Sequence, residues 1–114
     1  MKVVYVAGAM NADNILDVLA NISRGVKLGQ EVLKEGHAPI VPHLDIAFKL
    51  QGGDDFNIPM DMYYKYTLKI MTKCDAVIVC EKSETSNGTI REIETANDLG
   101  IPVYYSIEEF ISKV

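Results

Sequence analysis

The stretch from Asp75 to Ala96 constrains the fold more than any other part of this sequence, because it joins a short apolar run, a polar loop and a helical pattern. The apolar run, Val77-Ile78-Val79, is β-branched and does not alternate with polar residues. Such a run is typical of a strand that is buried on both faces of a parallel sheet. Open α/β proteins bind ligands at the carboxyl ends of such strands, so residues 86–92 are the first candidate site.

The alternation of strand and helix patterns continues over the whole chain. Strand patterns lie at residues 3–6, 37–42, 77–79 and 103–105, and helix patterns follow at residues 22–34, 57–71, 88–99 and 106–112. We therefore predict one α/β domain over residues 1–114, a three-layer flavodoxin- or Rossmann-like fold with a parallel sheet of about four strands.

Right-handed crossover connections favour the strand order 2-1-3-4 for this alternation. In that order the winding reverses between the first and third strands, and a crevice opens at their carboxyl ends. The predicted crevice is bordered by Gly8, Ala9 and Met10 after the first strand and by Ser86, Asn87 and Gly88 after the third. Gly8 and Gly88 are expected to lie close together.

Three features of the pattern are less regular. Residues 10–20 match no single pattern, although their apolar side chains are expected to be buried. Residues 43–58 are predicted to be irregular, and residues 51–55 within them fit either a solvated connection or a lid over a site. Gly25 and Gly29 are expected to mark a place where the first helix packs closely on the sheet, since glycine otherwise weakens a helix.

Glu92 is the first candidate for a catalytic group. Helical spacing places it on the shoulder of the buried side of its helix. That side is predicted to consist of Ile90, Ile93, Ala96 and Leu99. A half-buried carboxylate in a crevice can act as a nucleophile or as a general acid or base. Thr89 and Glu92 also match a helix capping box, in which the role of Glu92 is structural. The spacing fits both interpretations.

Two further candidates for ligand binding lie at the same predicted edge of the sheet. Residues 86–88 either bind an anion at the helix N-terminus or provide only turn and capping chemistry. His43, which follows the second strand, is either a ligand-binding residue or a structural hydrogen-bonding group. No phosphate-binding loop, dinucleotide-binding glycine motif, catalytic triad or metal-binding spacing occurs, so no metal and no cofactor is predicted.

Charge and hydropathy exclude several classes of partner. The net charge of −5 argues against a nucleic-acid polymer, which is bound by a basic surface. No apolar run approaches the roughly 20 residues of a membrane span, and the apolar N-terminus is too short for a signal peptide. We therefore predict a cytoplasmic protein without a membrane partner. The helix at residues 57–71 carries many Tyr and Met side chains on more than one face, which predicts a homo-oligomer that associates through residues 59–71.

Five segments together resemble the nucleoside 2-deoxyribosyltransferase-like superfamily, in particular its small phage and bacterial members. These segments are Y-V-A-G-A at 5–9, G-H-A-P-I-V-P-H at 36–43, C-D-A-V-I-V at 74–79, S-N-G-T-I-R-E-I-E-T-A at 86–96 and G-I-P-V at 100–103. The resemblance implies cleavage of the N-glycosidic bond of a 2-deoxynucleoside, or of its 5′-monophosphate in the related N-hydrolases. It implies that Glu92 is the nucleophile, that Tyr5 supports it, and that Ser86 and Ala96 flank it.

The chain departs from the superfamily pattern at two places. The aspartate that helps to protonate the departing base is replaced by Thr67, and His43 is the substitute that we consider. The loop after the first strand lacks the Arg and Gly pattern of the monophosphate hydrolases. Ser86, by contrast, matches the serine that those hydrolases use to bind the phosphate. Two other functions therefore stay open. One is a nucleotide-binding protein that has lost turnover, and the other is an interaction protein that uses its Tyr- and Met-rich helix.

Overall fold

The structure is a computed structural model that describes residues 1–52 and 58–114, and strands and helices alternate along them. The four strands are β1 (Val3–Ala7), β2 (Ala38–Ile40), β3 (Ala76–Val79) and β4 (Val103–Tyr104). The α-helices of the described residues are α1 (Ile15–Lys34), α2 (Ile46–Gly52), α3 (Met60–Met71), α4 (Asn87–Asp98) and α5 (Ile107–Lys113), and a 3-10 helix, Pro42–Asp45, precedes α2.

The four strands form one parallel sheet in the order β2-β1-β3-β4, which confirms the predicted topology. The register pairs Tyr5 with Ile40 on one side and with Val77 on the other. Asp75 helps to align the neighbouring strands, since its carboxylate accepts a hydrogen bond from the Val3 backbone N–H at 2.8 Å. The winding reverses between β1 and β3, so the crevice lies at their carboxyl ends, as expected for this topology.

Successive residues of β1 and β3 point to opposite faces of the sheet and create two cores. The first core joins Val4, Val6, Ala76 and Ile78 to Val32 of α1 and Phe110 of α5. The second joins Tyr5, Ala7, Val77 and Val79 to Met71 of α3 and Ala96 of α4. The sheet is thus the middle of three layers, and the face that carries Tyr5 is the face covered by α3 and α4.

Helix α1 begins seven residues earlier than the pattern predicts, at Ile15 instead of Ile22. Asn14 caps the helix, because its side-chain oxygen accepts a hydrogen bond from the Asp17 backbone N–H at 2.9 Å. The expected burial of the apolar residues in this segment is wrong, since Ile15 is 65% exposed and Leu16 is 74% exposed. The first turns of α1 are largely exposed, so their sequence needs no regular apolar period.

The segment after β2 is more regular than predicted. Instead of an irregular connection it contains the 3-10 helix and α2, which includes Gln51 and Gly52 of the expected loop. Residues 53–55 of that loop, and the predicted helix start at Asn57, lie outside the described residues. Helix α3 begins at Met60, directly after Pro59. None of the helices in the described part of the chain is long and apolar enough to cross a membrane.

Both glycines of α1 lie at close contacts, as predicted; the tightest contacts are with the segment after β2, and Gly29 also meets Pro39 of β2, where a Cβ atom would lie 3.8 Å from Cβ of Pro39. A Cβ atom on Gly25 would lie 2.4 Å from the ring of His43. A Cβ atom on Gly29 would lie 2.5 Å from Cγ2 of Val41. These distances are far below van der Waals contact, so glycine allows α1 to lie directly against this segment.

Candidate active site

A cavity of about 410 Å³ opens at the carboxyl ends of β1, β2 and β3. It is lined by the loop after β1, by the 3-10 helix and α2, and by the facing sides of α3 and α4. The structure places every predicted site residue on its wall, namely Tyr5, Gly8, Ala9, Met10, His43, Ser86, Asn87, Gly88 and Glu92. Gly8 and Gly88 thus share one cavity.

Tyr5 and Glu92 form a hydrogen-bonded pair in this cavity. Tyr5 lies in the middle of β1 and is fully buried, and its hydroxyl donates a hydrogen bond to the Glu92 carboxylate. Glu92 lies in the inward stripe of α4 between Thr89 and Ala96, which are both buried. The predicted buried side is wrong in part, because Ile90 is 39% exposed and Leu99 is 54% exposed. Glu92 is half-buried beside Ala96, as predicted, and it lines the cavity.

Burial determines the electrostatics of this pair. It raises the pKa of the Glu92 carboxyl from its ordinary 4.5 to about 7, and the hydrogen bond from Tyr5 opposes this shift in part. The pKa of the Tyr5 hydroxyl is also raised, first by burial and then by the neighbouring Glu92. Tyr5 therefore stays protonated and donates to a carboxyl group that changes its charge close to neutral pH.

The raised pKa of Glu92 predicts a pH-dependent difference in stability between the wild-type protein and Glu92→Gln. The folded protein binds a proton at Glu92 more tightly than the unfolded chain does. The contribution of Glu92 to the free energy of unfolding is therefore lost as the pH rises from 4.5 to about 7. Glutamine does not ionise. Urea unfolding at acidic and alkaline pH should show that Glu92→Gln gains on the order of 2 kcal/mol over wild type across this window.

The matched control for this measurement is Glu94→Gln, which removes an exposed carboxylate from the same helix. Its stability should keep the pH dependence of the wild-type protein. If the difference between Glu92→Gln and wild type stays constant across the same pH range, Glu92 is not held in a desolvated position.

Ser86, and not the Thr89–Glu92 pair, caps helix α4. The Ser86 hydroxyl oxygen accepts hydrogen bonds from the Thr89 backbone N–H at 3.2 Å and from the Thr89 hydroxyl at 2.9 Å. The helix begins at Asn87, so Glu92 lies in its second turn, where its carboxylate pairs with Tyr5. The capping-box interpretation of Glu92 is therefore wrong.

The loops after β1 and β3 are fastened to each other at the cavity. The Ala9 backbone N–H donates to the buried Ser83 hydroxyl at 3.0 Å, and the Cys80 N–H donates to the Ala7 carbonyl at 2.8 Å. A Cβ atom on Gly8 would lie 2.7 Å from Sγ of Cys80. Gly8 thus lets the backbone of these two loops come together next to the cavity.

His43 is buried in the cavity wall, with only 2% of its surface exposed. Burial lowers the pKa of its imidazole, and the nearby backbone of Ala9 and Gly8 opposes this shift in part. Neither ring nitrogen makes a hydrogen bond of good geometry with the described residues. A neutral imidazole has no spare proton at neutral pH, so this environment disfavours His43 as the acid and leaves it suited to binding a polar group of a ligand.

The sequence pattern missed several side chains of the cavity wall. They are Asp45, Lys49, Tyr63 and Tyr64. Asp45 accepts a hydrogen bond from the Tyr66 hydroxyl at 2.7 Å, and it follows the carboxyl end of β2 just as His43 does. This position after a strand is the sequence signal that could identify Asp45, but the pattern of residues 43–58 predicts an irregular connection. Tyr64 lies against Gly88, where a Cβ atom would be 3.3 Å from its ring.

Thr67, where the resemblance predicts an aspartate, also lines the cavity. Its hydroxyl lies 2.9 Å from the Tyr63 carbonyl and 3.2 Å from the Tyr64 carbonyl, to which it donates. Within residues 1–52 and 58–114, no group of three or more His, Cys, Asp or Glu side chains is placed to hold a metal ion. The chemistry of the cavity therefore centres on carboxyl, phenol and imidazole groups.

Comparisons with known proteins agree with this architecture. The model of a family described as a domain of unknown function (DUF7768) matches residues 2–106. Among solved structures, the 2-deoxyribosyltransferase of the psychrotolerant bacterium Bacillus psychrosaccharolyticus is similar to this chain, with a TM-score of 0.62 and 19% sequence identity over 89% of this chain and 69% of that chain. At this identity the similarity shows a shared fold. No protein with a curated description matches the chain at a significant level.

Proposed function

The chain belongs to the DUF7768 domain family, and from this premise and its 2-deoxyribosyltransferase-like fold we propose that it cleaves or transfers the N-glycosidic bond of a 2-deoxynucleoside or its 5′-monophosphate. One observation carries the proposal, namely the buried Glu92 carboxylate that Tyr5 holds on the cavity wall. Burial of a charge is unfavourable, so a carboxylate that is desolvated in a cavity is typical of a functional site.

In the proposed reaction the ionised Glu92 carboxylate attacks C1′ of the sugar while the bond from C1′ to the base nitrogen breaks. The electron pair of that bond leaves with the base, and a glycosyl-enzyme intermediate forms. Water or a second base then releases the sugar from Glu92. Tyr5 stays protonated, so it orients the carboxylate without competing as a nucleophile.

The remaining wall of the cavity supplies groups for binding the substrate. We assign residues 8–10 and residues 86–88 to the sugar and its 5′ substituent, since both loops line the cavity and residues 86–88 lie at the N-terminus of α4, where an anion is favoured. Lys49 offers a positive charge for a 5′-phosphate. His43, neutral and without a protein partner of good geometry, is assigned to a polar group of the substrate. The substrate is expected to be a small molecule of the cytoplasm, and no cofactor takes part in the proposed reaction.

The proposal is tested by incubating the protein with a panel of 2-deoxynucleosides and their 5′-monophosphates and measuring free base by chromatography. A second free base in the same mixture distinguishes transfer from hydrolysis, because only transfer yields the exchanged nucleoside. The corresponding ribonucleosides serve as controls. Absence of base release from every member of the panel would contradict the proposed activity.

A nucleotide-binding protein without turnover is the second candidate function. Thr67 favours it, because a threonine cannot protonate a departing base. Calorimetric titration of the same panel separates the two functions. Binding without release of base would support the second candidate, whereas release of base would support the first.

We further propose that the protein associates with itself through residues 59–71. The tyrosines of this segment make contacts within a single chain. Tyr63 and Tyr64 line the cavity, and the Tyr66 hydroxyl donates a hydrogen bond to Asp45. Two large apolar side chains of the same segment remain exposed to solvent, Met60 at 47% and Met62 at 52%. Exposed methionines at adjoining positions are typical of a contact surface.

Sedimentation velocity at tens of micromolar is expected to show a species larger than the 12.6 kDa chain. Met62→Glu should shift the protein toward the monomer, because the substitution puts a charge into the proposed contact. Gln30→Glu, at an exposed position of α1 outside residues 59–71, is the control, because it makes the same change of one charge unit away from the proposed contact. A wild-type protein that sediments as a monomer would contradict the proposal.

A further inference from the structure

Asp45 brings a second carboxylate to the cavity that holds Glu92. It is the last residue of the 3-10 helix after β2, and it lines the same cavity as Glu92, which lies on α4. The Tyr66 hydroxyl, on α3, donates to one of its oxygens at 2.7 Å. Asp45 shares the wall of this cavity with both members of the Tyr5–Glu92 pair.

The proposed reaction needs a proton donor for the base as well as a nucleophile. The other titratable groups of the cavity wall are Tyr5, His43, Lys49, Tyr63, Tyr64 and Glu92. Glu92 is used as the nucleophile, Tyr5 is engaged with it, and burial keeps His43 neutral. Thr67 cannot supply the proton. A carboxyl group is the remaining side chain whose acidity suits protonation of a base near neutral pH.

The environment of Asp45 makes its carboxyl a weaker acid than a fully solvated aspartate. Partial burial raises the pKa of this carboxyl, and the hydrogen bond from Tyr66 opposes that shift. The pKa of Tyr66 itself is raised to about 12, first by burial and then by Asp45, so Tyr66 remains a donor. A substrate that fills the cavity displaces water from Asp45 and shifts its pKa further upward.

We propose that Asp45 is the general acid that protonates the departing base. As the bond from C1′ to the base nitrogen breaks and the bond from C1′ to the Glu92 oxygen forms, the electron pair moves to the base, and the Asp45 proton is transferred to a base nitrogen. Asp45 is then ionised, and it recovers a proton from the water or the incoming base that attacks the intermediate. This assignment rests on the proposed function. It gives the cavity two carboxyl groups with different tasks.

The test compares Asp45→Asn with wild type on two substrates that differ in their need for an acid. 2-Deoxyguanosine requires protonation of its base, whereas the base of 7-methyl-2-deoxyguanosine already carries a positive charge and leaves as a neutral molecule. Asp45→Asn is expected to slow base release from the first by roughly 100-fold or more and to change release from the second by only a few-fold. Glu92→Gln should lose both activities, because both substrates need the nucleophile.

The pH profile gives a second readout that a structural role would not change. Wild-type kcat/KM should fall at alkaline pH as the pair of carboxyl groups loses its last proton. For Asp45→Asn acting on the methylated substrate, that fall should disappear, and the rate should rise through the pKa of Glu92 at about 7. The asparagine amide oxygen can still accept the Tyr66 hydrogen bond, and thermal melting verifies that the variant is folded.

Each outcome decides between the proposals. Equal losses on both substrates would overturn the role of Asp45 as the acid while leaving the proposed function intact. An unchanged rate for Asp45→Asn on 2-deoxyguanosine would do the same. If wild type releases base from no member of the panel of 2-deoxynucleosides and their 5′-monophosphates, the proposed function fails and the assignment of Asp45 fails with it.

Discussion

Glu92→Gln is expected to reduce the release of base by roughly 1,000-fold or more in the assay of 2-deoxynucleosides and their 5′-monophosphates. The amide is close in size to the carboxylate and can still accept the Tyr5 hydrogen bond, so the wall of the cavity should keep its shape. An uncharged amide oxygen, however, is a poor nucleophile toward C1′. The loss should therefore lie in kcat, with binding of the substrate largely retained.

Glu94→Gln is the matched control for this activity measurement. It makes the same chemical change on the exposed side of α4, two residues away, and should leave the rate within about two-fold, as is usual for a surface substitution. Calorimetry with the substrate that turns over fastest checks that Glu92→Gln still binds. Equal rates for wild type and Glu92→Gln would refute Glu92 as the nucleophile.

Gly25→Ala is expected to destabilise the protein by about 1–3 kcal/mol, although alanine is normally the better helix former. The new methyl group would lie 2.4 Å from Cγ and Nδ1 of His43, so the imidazole or the whole helix must move. For a domain of this size the melting temperature should fall by roughly 5–15 °C. Because His43 lines the cavity, substrate binding should weaken as well.

A double-mutant cycle with His43→Ala identifies the contact that is responsible. In the His43→Ala background the imidazole is gone, so Gly25→Ala should cost little or should stabilise by up to about 1 kcal/mol through helix propensity. Gln30→Ala, at an exposed position of α1, controls for propensity alone. If Gly25→Ala lowers stability equally with and without His43, the steric explanation is wrong.

Much of the fold is predictable because it depends on local chemistry. The unalternating run Val77-Ile78-Val79 is suited only to burial on both faces, and the handedness of crossovers then restricts the strand order. Gly100, with its φ of +72°, ends the turn after α4, and Ser106 caps α5 through the Glu109 N–H. Each of these signals acts within a few residues, so the sequence alone determined the order and the parallel arrangement of the strands.

The edge at which the site lies follows from that topology, and Glu92 and His43 could be predicted as its members for the same reason, whereas Tyr5 was expected there only from the resemblance to a known family. Their environments could not. Whether Glu92 caps its helix or faces the cavity depends on the rotation of α4, which packing on Tyr5 and Ala96 determines. The hydrogen bond that distinguishes the two joins residues that are 87 positions apart.

The second carboxylate was decided by tertiary structure alone. Asp45 has no neighbour in sequence that indicates a function, and its hydrogen bond from Tyr66, 21 positions later, forms only in the folded chain. Likewise, the sequence around Gly25 indicates only a residue that lowers helix stability, and the contact with His43 that requires a glycine is seen only in the folded structure. Local patterns specify which elements form and in what order, but a pKa or a close contact depends on groups from several elements that meet only when the chain is folded.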